Sequence, residues 1–137
     1  HIHPADVVII GRLFLKGRFD ARRRVAITGS EVENPRYFES IIGVQAEALL
    51  RGHLKAGKNR IISGNVLTGT NIGEQGYLGF YDHQLTAIPE GDDMEFFGWL
   101  LPSYPRPDIS KSFLSGWFKN RTYKVNTNTH GEERAFV

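Results

Sequence analysis

Five histidines could do chemistry in this chain: His1, His3, His53, His83 and His130. His1-x-His3 has the spacing of a two-ligand metal clip, but no carboxylate or further histidine stands near it. A zinc centre needs three or four converging ligands. His53 follows a predicted helix face and His83 falls on a predicted strand, positions that suit partly buried structural residues. Asp92, Asp93 and Glu95 cluster in and beside a Pro-Glu-Gly turn, where acids are ordinarily solvated. A catalytic carboxylate pair would have to face a substrate from opposed positions.

Other nucleophiles and phosphate loops are missing. The chain has no cysteine, which excludes thiolate catalysis, disulfides and cysteine-held iron–sulfur or zinc centres within it. No G-x-S-x-G elbow occurs. Gly57-Lys58-Asn59 lacks both the magnesium-binding hydroxyl and the preceding glycine of a phosphate loop. The glycines between 69 and 79 have loop spacing, not dinucleotide spacing. No catalytic, cofactor-binding or metal-binding residue is therefore assigned.

Two basic features remain. Arg22-Arg23-Arg24 stands at a strand entrance and reads as a solvated strand end, with phosphate binding as the alternative. From 104 to 124, Arg106, Lys111, Lys119, Arg121 and Lys124 are opposed only by Asp108. Tyr104, Phe113, Trp117, Phe118 and Tyr123 are interleaved with them. Such a mixture suits an acidic surface of a protein partner, an anionic membrane surface or single-stranded nucleic acid. A core stripe of Phe113, Trp117 and Phe118 with a solvated face opposite is the simpler explanation of the aromatics. The charge asymmetry still marks Arg106, Lys111, Trp117, Phe118, Lys119 and Arg121 as a candidate partner-contact patch.

The elements that would position these residues follow from periodicity. Asp6 can cap a helix through Leu15 with Val7, Ile10, Leu13 and Phe14 on one stripe, ended by Gly17. The β-branched run 7–10 makes a buried strand the competing reading. Residues 24–28 alternate, with Val25 and Ile27 on one face. After the turn residues Glu33-Asn34-Pro35, residues 36–41 read as the second strand of a hairpin, broken by Gly43. Residues 45–54 read as a helix with Ala46, Leu49, Leu50 and Leu54 on one face, and 60–63 as a third strand.

The stretch 64–79 reads as glycine-rich loop, and 80–88 with 94–101 as a second hairpin around Pro89-Glu90-Gly91-Asp92-Asp93. Residues 112–119 and 122–127 read as a short helix and strand. The fold class expected is α+β, a β-grasp-like module with a helix over one face of a mixed sheet and an added hairpin-rich segment. Its expected organisation is a helical lead-in from a preceding domain over 1–22, then a module over 23–101. That module carries an inserted loop at 64–79 and a hairpin at 80–101, and a basic, aromatic segment over 102–137 follows it.

With 137 residues and 40% apolar content the chain can build one real core. A net charge of +2 is weak for a dedicated nucleic-acid binder, and no apolar run reaches the length of a membrane span. The start at His1 and the end at Phe136-Val137 lead us to expect a piece of a longer polypeptide.

Several ordered motifs carry a resemblance. They are Asp6-Val7-Val8-Ile9-Ile10-Gly11-Arg12-Leu13-Phe14, Asn34-Pro35-Arg36, Asn59-Arg60-Ile61-Ile62-Ser63-Gly64-Asn65-Val66-Leu67-Thr68-Gly69, Tyr77-Leu78-Gly79, Phe97-Gly98-Trp99, and His130-Gly131-Glu132-Glu133-Arg134-Ala135. In order and spacing the set resembles the A subunit of the bacterial Na+-translocating NADH:quinone oxidoreductases. Glu132 stands where the resemblance leads one to expect a second glycine.

The resemblance implies a soluble-ligand-binding β-grasp (SLBB, ubiquitin-like) domain over about 8–60. The implied polypeptide is peripheral, on the cytoplasmic face of the bacterial inner membrane, and has no redox cofactor of its own. It would assemble with the B to F subunits, which carry FMN, FAD, riboflavin and a 2Fe-2S centre and pass electrons from NADH to quinone while exporting sodium. No nucleic-acid partner is implied. The expected role of the segment is docking and assembly or ligand binding, the ligand seat lying between the helix from Gln45 and the loop from Lys55. The alternatives are a stand-alone small-molecule β-grasp module of a related electron-transport protein, or an RNA-binding β module using the basic aromatic patch.

Overall fold

The computed structural model describes residues 2–91. Seven elements follow one another: α1 (Pro4–Lys16), β1 (Arg22–Thr28), β2 (Arg36–Ile41), α2 (Ala46–Leu50), β3 (Asn59–Ser63), β4 (Thr70–Asn71) and β5 (Gln84–Pro89). The strands form one sheet in the order β2-β1-β5-β3-β4. β1 and β2 are an antiparallel hairpin running from the Arg22–Ile41 pair to the Ile27–Arg36 pair. β5 lies parallel to β1, with Ala26 opposite Gln84 and Thr28 opposite Thr86. A parallel neighbour requires a long crossover, and α2, β3 and β4 supply it. This is the mixed, β-grasp-like sheet expected from the sequence.

Alternation decides the core. Arg23, Val25 and Ile27 of β1 face inward, and Leu85 and Ala87 of β5 lie beside them. α2 lays Ala46, Leu49 and Leu50 on this face, closed by Val32, Ile61 and Leu78. β5 is buried along both faces, as befits a central strand. The helix is shorter than the expected 45–54 because Gly52 turns the chain at φ 74°. Leu54 then pairs across a single bridge with Val32.

Other expectations are corrected as well. The N-cap of α1 is His3, not Asp6: the His3 Nδ1 accepts the Ala5 N–H at 3.3 Å and Pro4 opens the helix. Gly17 ends it as expected, at φ 63° with its N–H on the Leu13 carbonyl. The stripe Val7, Ile10, Leu13, Phe14 does not face the sheet. The residue that α1 buries is Ile9. Asp6 is held by Arg23 of β1, and this fixes the rotation of the helix so that position i+3, Ile9, points inward.

The 64–79 stretch is not wholly irregular. β4 pairs antiparallel with β3 (Ile62 with Asn71, Ser63 with Thr70), Gln45 bridges to Tyr77, and Leu78 is buried. Residues 80–81 are a turn and 82–83 are irregular, so β5 starts at Gln84, and its described neighbours are β1 and β3. The predicted partner strand 94–101, the acidic group at Asp92, the elements over 112–127 and the basic aromatic patch lie outside the described residues.

The motif from Ser63 to Gly69 is a tight corner held by Asn65 and two glycines. Gly64 sits at φ 94°. The Asn65 Oδ1 accepts the N–H groups of Leu67 and Thr68, both at 2.9 Å, and its amide donates to Thr68 Oγ1. A Cβ at Gly69 would lie 2.5 Å from the carbonyl oxygens of Ser63 and Asn65.

Candidate functional site

Arg23 shares its parity with Val25 and Ile27, so β1 carries its side chain into the interior face of the sheet. That side chain is 1% exposed. Its guanidinium donates to the Phe80 carbonyl (2.8 Å), the Asp82 carbonyl (3.1 Å) and Asp6 Oδ1 (3.1 Å). One group thus ties α1, β1 and the turn before β5 together. The expectation of a solvated arginine run is corrected: Arg22 and Arg24 are exposed, Arg23 is not. A buried ion is tolerated only when it is paired and hydrogen-bonded; Arg23 is both through its Nη groups, and its Nε is buried without a partner.

His83 stands on the other side of Asp6, its Nε2 3.6 Å from Asp6 Oδ2. That is too long for a hydrogen bond, and neither ring nitrogen has a partner. The ring stacks on His3 with centroids 4.0 Å apart, which corrects the expectation that no further histidine or carboxylate stands near His3. Burial pushes the His83 pKa below its usual value, the charges of Arg23 and His3 push it the same way, and Asp6 opposes them. The neutral form is therefore preferred in the fold. The unfolded chain takes up the proton first, so this contribution is complete above about pH 6.5 and is lost as the pH falls through and below that value. The thermal midpoint of the domain is expected to drop between pH 7.5 and 5.5, and His83→Gln is expected to flatten the drop. A midpoint that rises on acidification, or an unchanged slope in the variant, contradicts this.

The same turn is locked from β3. The Ser63 hydroxyl donates to Asp82 Oδ2 and accepts the Gly79 N–H at 2.8 Å. Asp20 organises the entry to β1: it accepts from the Arg22 N–H and guanidinium and lies 3.7 Å from Arg12 of α1. The side-chain hydrogen bond from Arg22 is the main reason its carboxyl stays well below the usual carboxylate range.

Beside Arg23 opens a cleft of about 480 Å3, lined by Ile2, Ile9, Ile10, Phe19, Ile42, Phe80 and Tyr81 with His3 and Asp6. The expected ligand seat beside α2 is a hollow of about 190 Å3 between Glu47, Leu50, Arg51, Leu54 and Glu74. The Arg51–Glu47 ion pair at 2.9 Å stands in its wall. Sites for drug-sized ligands usually run from roughly 300 to 1,000 Å3.

His53 is beside Arg36 and Phe38, a hairpin contact. Among the described residues no three or more His, Asp or Glu converge to hold a metal ion, and no helix is long and apolar enough to cross a membrane. The site found is thus a set of internal ties plus an open apolar face around α1. Sequence reasoning missed Arg23, and its parity with Val25 was the signal that could have found it.

Residues 24–73 match the family model described as the NQRA C-terminal domain. Over its full length the chain is 42% identical to the A subunit of the Na(+)-translocating NADH-quinone reductase of Serratia proteamaculans, and 38% identical to that of Klebsiella pneumoniae strain 342. The corresponding polypeptide of Vibrio campbellii is 40% identical over 99% of the chain. In each case the chain spans 31% of the relative's length.

Proposed function

We propose, from the match of residues 24–73 to the NQRA C-terminal domain model, that the chain is a structural and docking segment of the A subunit in a Na+-translocating NADH:quinone reductase. The reaction of such a complex carries electrons from NADH through FMN, FAD, riboflavin and a 2Fe-2S centre of partner subunits to quinone, and couples this to sodium export. The segment holds none of those groups. It stands at the cytoplasmic face of the inner membrane, attached through the B to F subunits.

One observation carries the structural reading: Arg23, the charged side chain buried most deeply among the described residues, directs its two Nη groups to α1 and to the turn before β5 of its own domain, while its buried Nε has no partner. Polar groups arranged to bind a substrate would converge on an open position instead. The outward connection is the basic aromatic patch with Lys119 and Arg121, which suits an acidic surface on one of the partners.

The test uses the full-length A subunit in its complex. Lys119→Glu with Arg121→Glu is expected to lower its co-purification with the other subunits and to lower membrane NADH-driven quinone reduction in proportion. Undiminished assembly and activity would show that the patch makes no partner contact.

A further inference from the structure

α1 is apolar nearly all the way round. Stepping 100° per residue, Ile9 and Asp6 mark the side against the sheet. Ile10, Phe14, Val7, Gly11, Leu15 and Val8 fill the outward side in an unbroken arc of about 160°. Phe14 and Leu15 are 84% and 87% exposed, and Val7, Val8 and Ile10 are about half exposed. With fully exposed side chains offering about 150–200 Å2 each, the arc presents on the order of 500 Å2 of apolar surface. That matches the largest apolar patch of a typical monomer, about 300–600 Å2, which often marks an interaction surface.

A helix apolar all round belongs in the core of a larger protein or in a membrane. Thirteen residues make about 20 Å of helix, against the roughly 30 Å of a bilayer core. A helix lying on a membrane surface would line its polar side with Lys and Arg. Here Arg12 lies 3.7 Å from Asp20, leaving Lys16 as the one other basic residue of α1. Contacts between separately folded subunits mix polar and apolar groups, whereas this arc contains no polar side chain. The relatives are about three times as long as this chain, so such a protein has ample polypeptide of its own to cover the arc.

We infer that the outward face of α1 is an intramolecular interface, covered by an apolar surface of the same polypeptide outside the 137 residues. This rests on the reading of the chain as a segment of the longer A subunit, and it adds which surface faces inward within that polypeptide.

The absence of cysteine from the chain provides the probe. Phe14→Cys and Leu15→Cys are introduced singly into the 137-residue chain and into the full-length polypeptide, with Tyr37→Cys as an exposed reference on β2. Each is treated with a charged maleimide, against background labelling of the unsubstituted protein. Labelling of positions 14 and 15 is expected to match the reference in the 137-residue chain and to be about a hundredfold slower in the isolated full-length polypeptide.

Fast labelling in the isolated full-length polypeptide overturns the inference, whether protection then arises in the assembled complex, in a lipid nanodisc or nowhere. Protection already present in the 137-residue chain overturns it as well. Because the decisive measurement needs no complex, its failure is distinct from failure of the docking reading, which would show as unchanged co-purification of the patch variants.

Discussion

Gly29→Ala is expected to remove about 4 kcal/mol of folding stability, from a close backbone contact and an unfavourable φ together. Gly29 follows β1 at φ 116°, and a Cβ there would lie 1.9 Å from the Ala87 carbonyl oxygen and 2.7 Å from its carbon. The obstacle is the backbone of β5, a strand buried on both sides, so no side-chain rotation can relieve it. The same carbonyl also accepts the Glu31 N–H at 3.3 Å, a bond that any retreat of β5 would break. Gly43 provides the comparison. It has φ 73° but nothing within 4 Å of a new Cβ, so Gly43→Ala is expected to lose only about 1 kcal/mol. Urea unfolding of both variants measures the difference, and equal losses would contradict the close approach of Gly29 to β5.

Arg23→Met carries the second large effect. Methionine keeps much of the apolar stem and removes the planar fork. Asp6 then loses the cation that holds it, and the carbonyls of Phe80 and Asp82 lose their donor. Breaking one side of a buried, hydrogen-bonded pair costs about 3 kcal/mol or more. Replacing both charged partners is gentler than replacing one, so Arg23→Met with Asp6→Leu is expected to regain roughly 1–2 kcal/mol of that loss. Denaturation of the two single variants and the double variant measures the coupling. A loss under about 0.5 kcal/mol for Arg23→Met would mean that α1 is held to the sheet by packing alone.

Elements fixed by local patterning were legible in the sequence. The period-two run of β1, the helical spacing of Ala46, Leu49 and Leu50, and the terminating role of Gly17 all rest on contacts within a few residues. The ordered motifs named the family on top of that. Elements fixed by distant partners were not legible. The parallel placement of β5 beside β1 was not legible, because nothing local encodes it. β4 is too short to have a period, and the corner at Asn65 that delivers it is visible only as a loop. The α1 stripe was legible as apolar spacing, but not the direction it faces, which follows from Asp6 binding Arg23 of β1. Arg23 was hidden within three arginines, where composition suggests solvent and only parity separates the middle residue from its flanks.

The central claim is that this domain supports the complex without taking part in electron transfer. The most direct measurement is NADH-driven quinone reduction per mole of assembled complex, with Arg23→Met introduced in the full-length polypeptide. The expected result is a smaller amount of assembled complex whose turnover per complex is unchanged. Normal assembly with a loss of turnover per complex would contradict the claim and place Arg23 in the reaction itself.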